Sequence, residues 1–281
     1  MRLGAPVPTL QDPADWIATL RGLGYSAAYC PVTEKEPEDF AKAFAKAARE
    51  ADIVIAEVGA WSNPLSPTEA RRREALALCQ KRLALADAVG ARCCVNISGS
   101  RGEEPNGNRA PHPDNLTRNT FDLIVETVRA IIDAVKPVRA FYTLEVHPWL
   151  YPNSADSYLD LIGAIDRPQF GVHLDPVNLF SSPERYYSNS VVLRECFAKL
   201  GPYIKSCHGK DTILRNQLTI DIDEIRPGLG ALDYRTFLRE LSMLDPDTPL
   251  MLEHLLDDEY APAADYIRSV AREVGVSIKT V

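Results

Sequence analysis

Short apolar runs alternate with longer amphipathic segments from one end of the chain to the other. Eight of these runs are rich in Val, Ile, Tyr and Cys and are apolar on both faces, which is typical of parallel strands covered on both sides. The eight predicted strands lie near Leu3–Val7, Ser26–Cys30, Ile53–Val58, Cys93–Ile97, Phe141–Val146, Phe170–Leu174, Ile204–Cys207 and Leu250–Leu252.

The amphipathic segments between the runs predict helices. Pro67–Val89 follows Ser66, a plausible capping residue, and ends just before Gly90, a residue type expected directly after a helix. Asp114–Val135 places its apolar residues on one stripe at helical spacing, and Ala261–Val274 does the same.

Strands that alternate with helices in this way predict an α/β fold, specifically a single (β/α)8 TIM barrel. Because no flexible linker divides the chain, we expect one domain over residues 1–281. The alternative is an open doubly wound sheet, which normally has a glycine-rich turn after its first strand, and no G-x-G-x-x-G occurs here. In a barrel, chemistry is expected at the carboxyl ends of the strands.

Charge and cysteine content narrow the class of protein. The 281 residues carry a formal net charge of −8, which argues against a nucleic-acid or membrane-surface partner because both need a positive field. None of the six cysteines forms a C-x-x-C pair, so we expect buried free thiols in a cytoplasmic protein.

The last four predicted strands each end with a residue that can bind a metal. These residues are Glu145, Asp175, His208 and Glu253. A closed barrel would bring them to one rim, where three carboxylates would repel one another strongly. A divalent cation removes this conflict; a structural network of ion pairs is the alternative.

The donor set also bears on which metal is bound. Three oxygen donors and one nitrogen donor, with positions left for water and substrate, suit Mn²⁺, Mg²⁺ or Co²⁺. A closed structural zinc site would have more sulfur or nitrogen. We expect one divalent ion, with Mn²⁺ as the first choice.

Several motifs indicate a family. LEVHPW, GVHLDPVN, HGKD and RPGLGALDYRTFLREL resemble segments of the xylose-isomerase-like TIM barrel superfamily, the sugar phosphate isomerase/epimerase family. The resemblance extends from GAPV near the start to LEH near residue 253. It implies that Glu145, Asp175, His208 and Glu253 bind one divalent metal, and that Glu145 and Glu253 serve as the acid/base pair.

The activity implied is a metal-dependent epimerase or isomerase of a sugar or sugar derivative, acting by proton transfer through a metal-stabilised cis-enediolate. An alternative is a metal-dependent lyase or dehydratase acting on a keto-sugar or keto-inositol, and a third is a non-catalytic or partner-activated subunit. Ketose 3-epimerases usually have a histidine three residues after the metal aspartate, where this chain has Asn178. Endonuclease IV needs three metals and many more than the five histidines present, which argues against DNA cleavage.

Six further residues are predicted to contact the substrate because they lie at or just beyond strand ends. They are His147, Lys210, Asn178, Glu57, Arg101 and Trp149. Arg101 belongs to the polar segment 98–115, which we expect to overhang the site as a lid. His173 is predicted to orient a carboxylate rather than bind metal directly. The expected partner is a small carbohydrate, and a homodimer is the default assembly.

Overall fold

Strands and helices alternate along the chain as the apolar pattern predicts. The structure is a computed structural model that describes residues 1–8, 11–102 and 107–281. Within these ranges the strands are β1 Arg2–Gly4, β2 Ala27–Tyr29, β3 Val54–Gly59, β4 Cys93–Asn96, β5 Phe141–Glu145, β6 Phe170–Leu174, β7 Ile204–Gly209, β8 Asp211–Leu214, β9 Ile222–Ile225 and β10 Pro249–Leu252. The α-helices are α1 Pro13–Gly22, α2 Glu38–Glu50, α3 Glu69–Val89, α4 Arg118–Val135, α5 Ala155–Ile165, α6 Pro183–Tyr187, α7 Asn189–Leu200, α8 Tyr234–Ser242 and α9 Tyr260–Glu273.

Eight of the strands form a parallel sheet that curls into a (β/α)8 barrel. Their order is β1, β10, β7, β6, β5, β4, β3 and β2. At the closing seam the backbone N–H of Ser26 donates to the carbonyl of Leu3 at 3.0 Å. The open-sheet alternative is therefore excluded, whereas the single domain over residues 1–281 stays a prediction. Strands β8 and β9 form a separate antiparallel pair between β7 and α8.

Two predicted helices begin later than expected, each for a local reason. Helix α3 starts at Glu69, because Ser66 accepts a hydrogen bond from the Thr68 N–H and so shapes the preceding turn rather than capping the helix. The segment predicted to start at Asp114 is first a 3₁₀ turn, and Thr117 then caps α4 by accepting from the Thr120 N–H.

The core has an apolar layer between sheet and helices and a more polar barrel interior. Helix residues such as Phe44, Leu83 and Phe237 are fully buried against the sheet. Inside the barrel, Gly4 leaves room for Met251, because a Cβ at Gly4 would lie 2.7 Å from the Met251 sulfur. Polar side chains take up part of the interior at its carboxyl end, and they are Glu57, His173, Ser206 and His208.

Asp211 holds the segment that leads from the β8–β9 pair to helix α8. Its buried carboxylate accepts hydrogen bonds from the backbone N–H groups of Thr212, Gly228, Gly230 and Leu232 at 2.8–3.1 Å. Gly230 passes so close that a Cβ there would lie 2.3 Å from the carboxylate. The aspartate of HGKD and the glycines of RPGLG are therefore parts of one structural clamp.

Replacing Asp211 with Asn should destabilise the protein. The amide keeps the shape of the carboxylate but turns one acceptor into a donor, so two of the four N–H groups lose their partner. At roughly 1–3 kcal/mol for each buried unpaired group, we expect a loss of about 3 kcal/mol in the free energy of unfolding, measured by urea denaturation. The matched variant Asp257→Asn changes an exposed carboxylate and should leave stability within about 0.5 kcal/mol; equal effects of the two substitutions would contradict the clamp.

Candidate metal centre

Four side chains from four strands meet at the carboxyl end of the barrel. Among the described residues, ligand-capable atoms within 4.8 Å of one another belong to Glu145, Asp175, His208 and Glu253, and Glu57 and His173 form a second such group with His208. Glu145 and His208 lie in β5 and β7, whereas Asp175 and Glu253 directly follow β6 and β10. Three of the side chains are buried, and that of Glu253 is 13% exposed. The structure therefore brings together the four predicted ligands into a group that could hold a metal ion.

The imidazole of His208 separates this group from Glu57. Its Nδ1 faces the group, 2.9 Å from Glu253 Oε1 and 3.2 Å from Glu145 Oε1. Its Nε2 lies 3.3 Å from Glu57 Oε1. When Nε2–H donates to Glu57, the Nδ1 lone pair is directed at the three carboxylates, which is the tautomer a metal ligand needs.

The proton on the His208 ring is what a bound metal ion would replace. Burial lowers the pKa of His208, but the carboxylates of Glu253 and Glu57 outweigh it and raise this pKa well above its usual value. The carboxylates around the ring therefore favour its protonated form. A divalent cation bound at Nδ1 would take the place of that proton and carry more charge. The donor set fits such an ion.

Glu57 is itself held in place by neighbours inside the barrel. Ser206 Oγ donates to Glu57 Oε2 at 3.0 Å, and His173 Nδ1 lies 3.5 Å from the same oxygen. The rings of His173 and His208 pack edge to face, 4.1 Å apart. Burial, together with the charge of His208, lowers the pKa of His173 to about 4, which keeps it neutral. His173 thus contacts a carboxylate behind the candidate ligands, where the sequence places it.

Register shifts occur at the level of these buried groups. Strand β2 changes register against β3 between Ala28 and Tyr29, where Tyr29 pairs with Glu57. Strand β6 changes register against β7 between Val172 and His173. Such irregularities are common beside active sites because they re-aim side chains. The extra residues are Ala56 in β3 and Lys205 in β7, directly before Glu57 and Ser206.

Lys210 lies among the carboxylates rather than free in the cavity. Its buried Nζ is 2.6 Å from Glu253 Oε1, 2.8 Å from Asp175 Oδ2 and 3.0 Å from Glu224 Oε1. Burial opposes ionisation of Asp175, but the charge of Lys210 outweighs it and lowers the pKa of Asp175 well below its usual value. Lys210 therefore keeps part of the acidic group ionised.

Asn178 also contacts the candidate ligands. Its Nδ2 lies 3.0 Å from Asp175 Oδ2 and 3.2 Å from Glu145 Oε1, with the amide as donor. The residue predicted to touch substrate therefore orients two carboxylates in this structure. It also borders a cavity, described next, so a substrate contact stays a prediction.

Two cavities meet at this end of the barrel. The larger, of about 1000 Å³, is lined by Glu145, Glu253 and Glu57. The second, of about 660 Å³, is lined by predicted substrate contacts, namely His147, Trp149 and Asn178. The Trp149 Nε1–H donates to the carbonyl of Arg109 at 2.7 Å, and its ring packs edge to face on His147.

Arg101 does not reach either of these two cavities. Its Nη1 donates to the carbonyl of Leu65 at 2.8 Å, whereas Arg109 borders both cavities. In the predicted lid segment 98–115, residues 103–106 lie outside the described residues. Gly107 and Asn108 line the larger cavity.

The structure also adds two residues that the sequence pattern missed. His254 adopts a left-handed backbone with φ of 57° just after β10, borders both cavities and lies 2.8 Å from Glu224 Oε2. Glu224 belongs to β9 and also contacts Lys210. If β10 continued, its alternation would point His254 away from the side of Glu253. The strand ends at Leu252, so the left-handed backbone of His254 turns its side chain toward the cavities instead.

The comparisons identify the family. A family model for xylose isomerase-like TIM barrels matches residues 17–272, so the chain belongs to the xylose isomerase-like TIM barrel family. Solved structures similar to this chain include proteins named as epimerases of sugars or sugar derivatives. No curated protein matches the chain at a significant level.

Solved structures share the fold at low sequence identity. A probable 3-DHS dehydratase, AsbF, from Bacillus anthracis has a TM-score of 0.70 at 14% identity, covering 96% of this chain and 98% of its own. The 3-keto-D-glucoside 4-epimerase YcjR from E. coli has a TM-score of 0.65 at 13% identity, covering 96% and 99%. A xylose isomerase-like TIM barrel protein from Mycobacterium smegmatis, in complex with magnesium, has a TM-score of 0.66 at 18% identity, covering 93% and 89%.

Two further expectations concern the chain as a whole. All six cysteines are free, five of them buried, as expected; burial raises the pKa of the half-buried Cys30 to about 11, so its thiol stays protonated.

Among the described residues, no helix combines the length and apolar character needed to cross a bilayer.

Replacing Glu57 with Gln should weaken metal binding at the centre without removing one of its four predicted ligands. The amide no longer offers a charged acceptor for the His208 Nε2–H, so the correct tautomer is less favoured. Loss of such a partner typically costs roughly 10–100-fold in affinity. Titration calorimetry with Mn²⁺ would measure it. Glu36→Gln is the matched control, because Glu36 lines the same cavity but contacts Thr33 instead; equal affinities for both variants would contradict the role of Glu57.

Proposed function

We propose that the chain is a divalent-metal-dependent epimerase or isomerase that acts on a sugar or sugar derivative. Glu145, Asp175, His208 and Glu253 would hold the ion. Mn²⁺ is the expected ion, and Mg²⁺ or Co²⁺ suit the same donors. The partner is a small carbohydrate rather than a nucleic acid or membrane, and a homodimer is the assembly we expect.

The observation that carries the proposal is the buried imbalance of charge. Four acidic side chains, those of Glu57 and the three candidate ligands, lie near one lysine and two histidines, of which His173 is neutral. Buried carboxylates are costly unless they are paired or bind a metal. A divalent cation at Nδ1 of His208 offsets this imbalance and leaves room for substrate in the adjoining cavities.

The two glutamates are suited to opposite roles in proton transfer. Burial raises the pKa of Glu145 to about 7. For Glu253, the charges of His208 and Lys210 outweigh burial and lower the pKa to about 2. Pairs of acids whose environments separate their pKa values in this way commonly divide acid and base work. One of the two would act as the base and the other as the acid.

The proposed chemistry follows from these roles. One of the two glutamates removes the proton from the carbon next to a substrate carbonyl, which gives a cis-enediolate, and the other returns a proton. Return to the opposite face of the same carbon gives an epimer, and return to the neighbouring carbon gives an aldose–ketose isomer. A bound divalent cation would supply Lewis-acid stabilisation of the negative charge on the substrate oxygens.

Elimination is the second candidate, because one structural neighbour is named as a dehydratase. The same removal of a proton by one of the glutamates would then expel a substituent from the neighbouring carbon. A metal-dependent lyase or dehydratase on a keto-sugar or keto-inositol would use the same four residues. Product analysis separates the two reactions.

Turnover in D₂O should test the proposal directly. We expect carbon-bound deuterium in products from a panel of ketohexoses and keto-glycosides, and we expect chelation of the metal to abolish it. Mass spectrometry and NMR would locate the label, on an inverted carbon for epimerisation and on the neighbouring carbon for isomerisation. Elimination would be recognised by loss of water or of a substituent from the substrate.

Variants of the two glutamates make this test specific. Glu145→Gln and Glu253→Gln should each lower exchange by about 10²–10⁴-fold, the usual contribution of a positioned acid or base. Glu126→Gln, on the exposed face of α4, should match the parent protein. Exchange that survives both substitutions, or continues without metal, would contradict the proposed roles.

Replacing Lys210 with Met should tighten metal binding while slowing exchange. The ammonium lies within 3 Å of two candidate ligands, and at such distances charges in proteins interact by several kcal/mol. Its removal should raise Mn²⁺ affinity at least about tenfold in calorimetry. The matched control is Lys46→Met, which changes an exposed lysine of α2 and should leave the affinity unchanged. Weaker binding would mean that Lys210 mainly holds the carboxylates in place.

A further inference from the structure

The candidate metal ligands lie on one side of the carboxyl end of the barrel. The candidate metal ligands come from β5, β6, β7 and β10. The other half of the rim, built from β1 to β4 and the segments that follow them, lines the larger cavity with both apolar and polar side chains. The apolar ones include Val7, Tyr29, Pro31, Trp61 and Ile97, and the polar ones include Glu36 and Glu57. One cavity therefore runs from Glu145 and Glu253 to an apolar wall.

The tryptophan in this wall is specifically seated. Gly59 ends β3, and a Cβ at this position would lie 2.5 Å from the Trp61 Nε1. Only glycine lets the indole lie this close to the strand. The indole is nevertheless 45% exposed, so much of its face is left open.

Tyr29 adds a second aromatic surface whose polar end is already used. Its hydroxyl donates to the carbonyl of Leu252 at 3.2 Å. Beside it, Ile97 is 3% exposed and carries no polar group. The side chains of Tyr29, Trp61 and Ile97 therefore form a mainly apolar patch within the cavity, and this patch suits an apolar or aromatic group.

The size of the cavity agrees with this arrangement. A volume of about 1000 Å³ lies at the upper end of the roughly 300–1,000 Å³ range of cavities that hold drug-sized ligands. A single free sugar bound at the carboxylates would leave most of the apolar wall uncovered.

We propose that the substrate is a glycoside with an apolar or aromatic aglycone, not a free sugar. The sugar is placed at Glu145 and Glu253, and the aglycone lies against Trp61, Tyr29 and Ile97. This inference rests on the proposed function for the position of the sugar, and it adds the class of the substrate.

A matched pair of ligands tests the proposal without requiring turnover. Phenyl β-D-glucoside and methyl β-D-glucoside differ only in the aglycone, and neither carries the carbonyl that the proposed reaction needs. Titration calorimetry on the Mn²⁺-loaded protein should give a dissociation constant at least tenfold lower for the phenyl compound. Equal constants for the two, or undetectable binding of both at millimolar concentration, would overturn the proposal.

Variants of Trp61 show whether the preference arises at this wall. Trp61→Ala should reduce the phenyl preference to less than threefold, and Trp61→Phe, which keeps an aromatic face, should retain most of it. Tyr187→Ala removes an aromatic ring that is 76% exposed on α6, outside this cavity, and should leave the preference unchanged. A preference that survives in a folded Trp61→Ala protein would place the aglycone elsewhere and overturn the assignment.

The proposed reaction and the proposed substrate class can fail separately. A phenyl preference without deuterium exchange on any keto-sugar would reject the epimerase or isomerase and leave the glycoside site. Deuterium exchange with the phenyl and methyl ligands bound equally would reject the glycoside and leave the reaction.

Discussion

The need to neutralise buried carboxylates controls the arrangement at the carboxyl end of this barrel. Glu57 and the three acidic candidate ligands are drawn out of water by the closure of the sheet, and each must meet a positive charge or a donor. Lys210, the protonated ring of His208 and the amide of Asn178 meet this need only in part. The remaining negative charge makes the centre receptive to a cation.

Much of the fold follows from local pattern because the strands are buried on both faces. All eight predicted barrel strands are found. A short run such as Phe170–Leu174 is buried along its whole length, and a parallel strand covered on both faces provides this burial. Helix starts are less predictable. Whether Ser66 or Thr68 begins α3 depends on one turn whose geometry the apolar pattern does not determine.

The candidate ligands were predictable for the same reason. A parallel barrel places every strand exit on one rim, so Glu145 and His208 are brought together by topology alone. Contacts that depend on irregular backbone could not be predicted. His254 turns toward the cavities through a single left-handed residue, and Asn178 contacts the ligands through a 3₁₀ turn after β6. Arg101 was expected at the site, but its guanidinium is held by a loop carbonyl.

The β8–β9 pair brings a charged side chain to the centre from outside the barrel sheet. It carries Glu224 to both Lys210 and His254, although neither strand belongs to the eight-stranded sheet. A change in the length or sequence of this insertion would alter the charge around the centre while the barrel strands and their packing stayed the same. Substitutions at Glu224 can therefore modify the charge at the centre at little cost in stability, whereas Asp211, the first residue of β8, has to keep its four hydrogen bonds to the backbone.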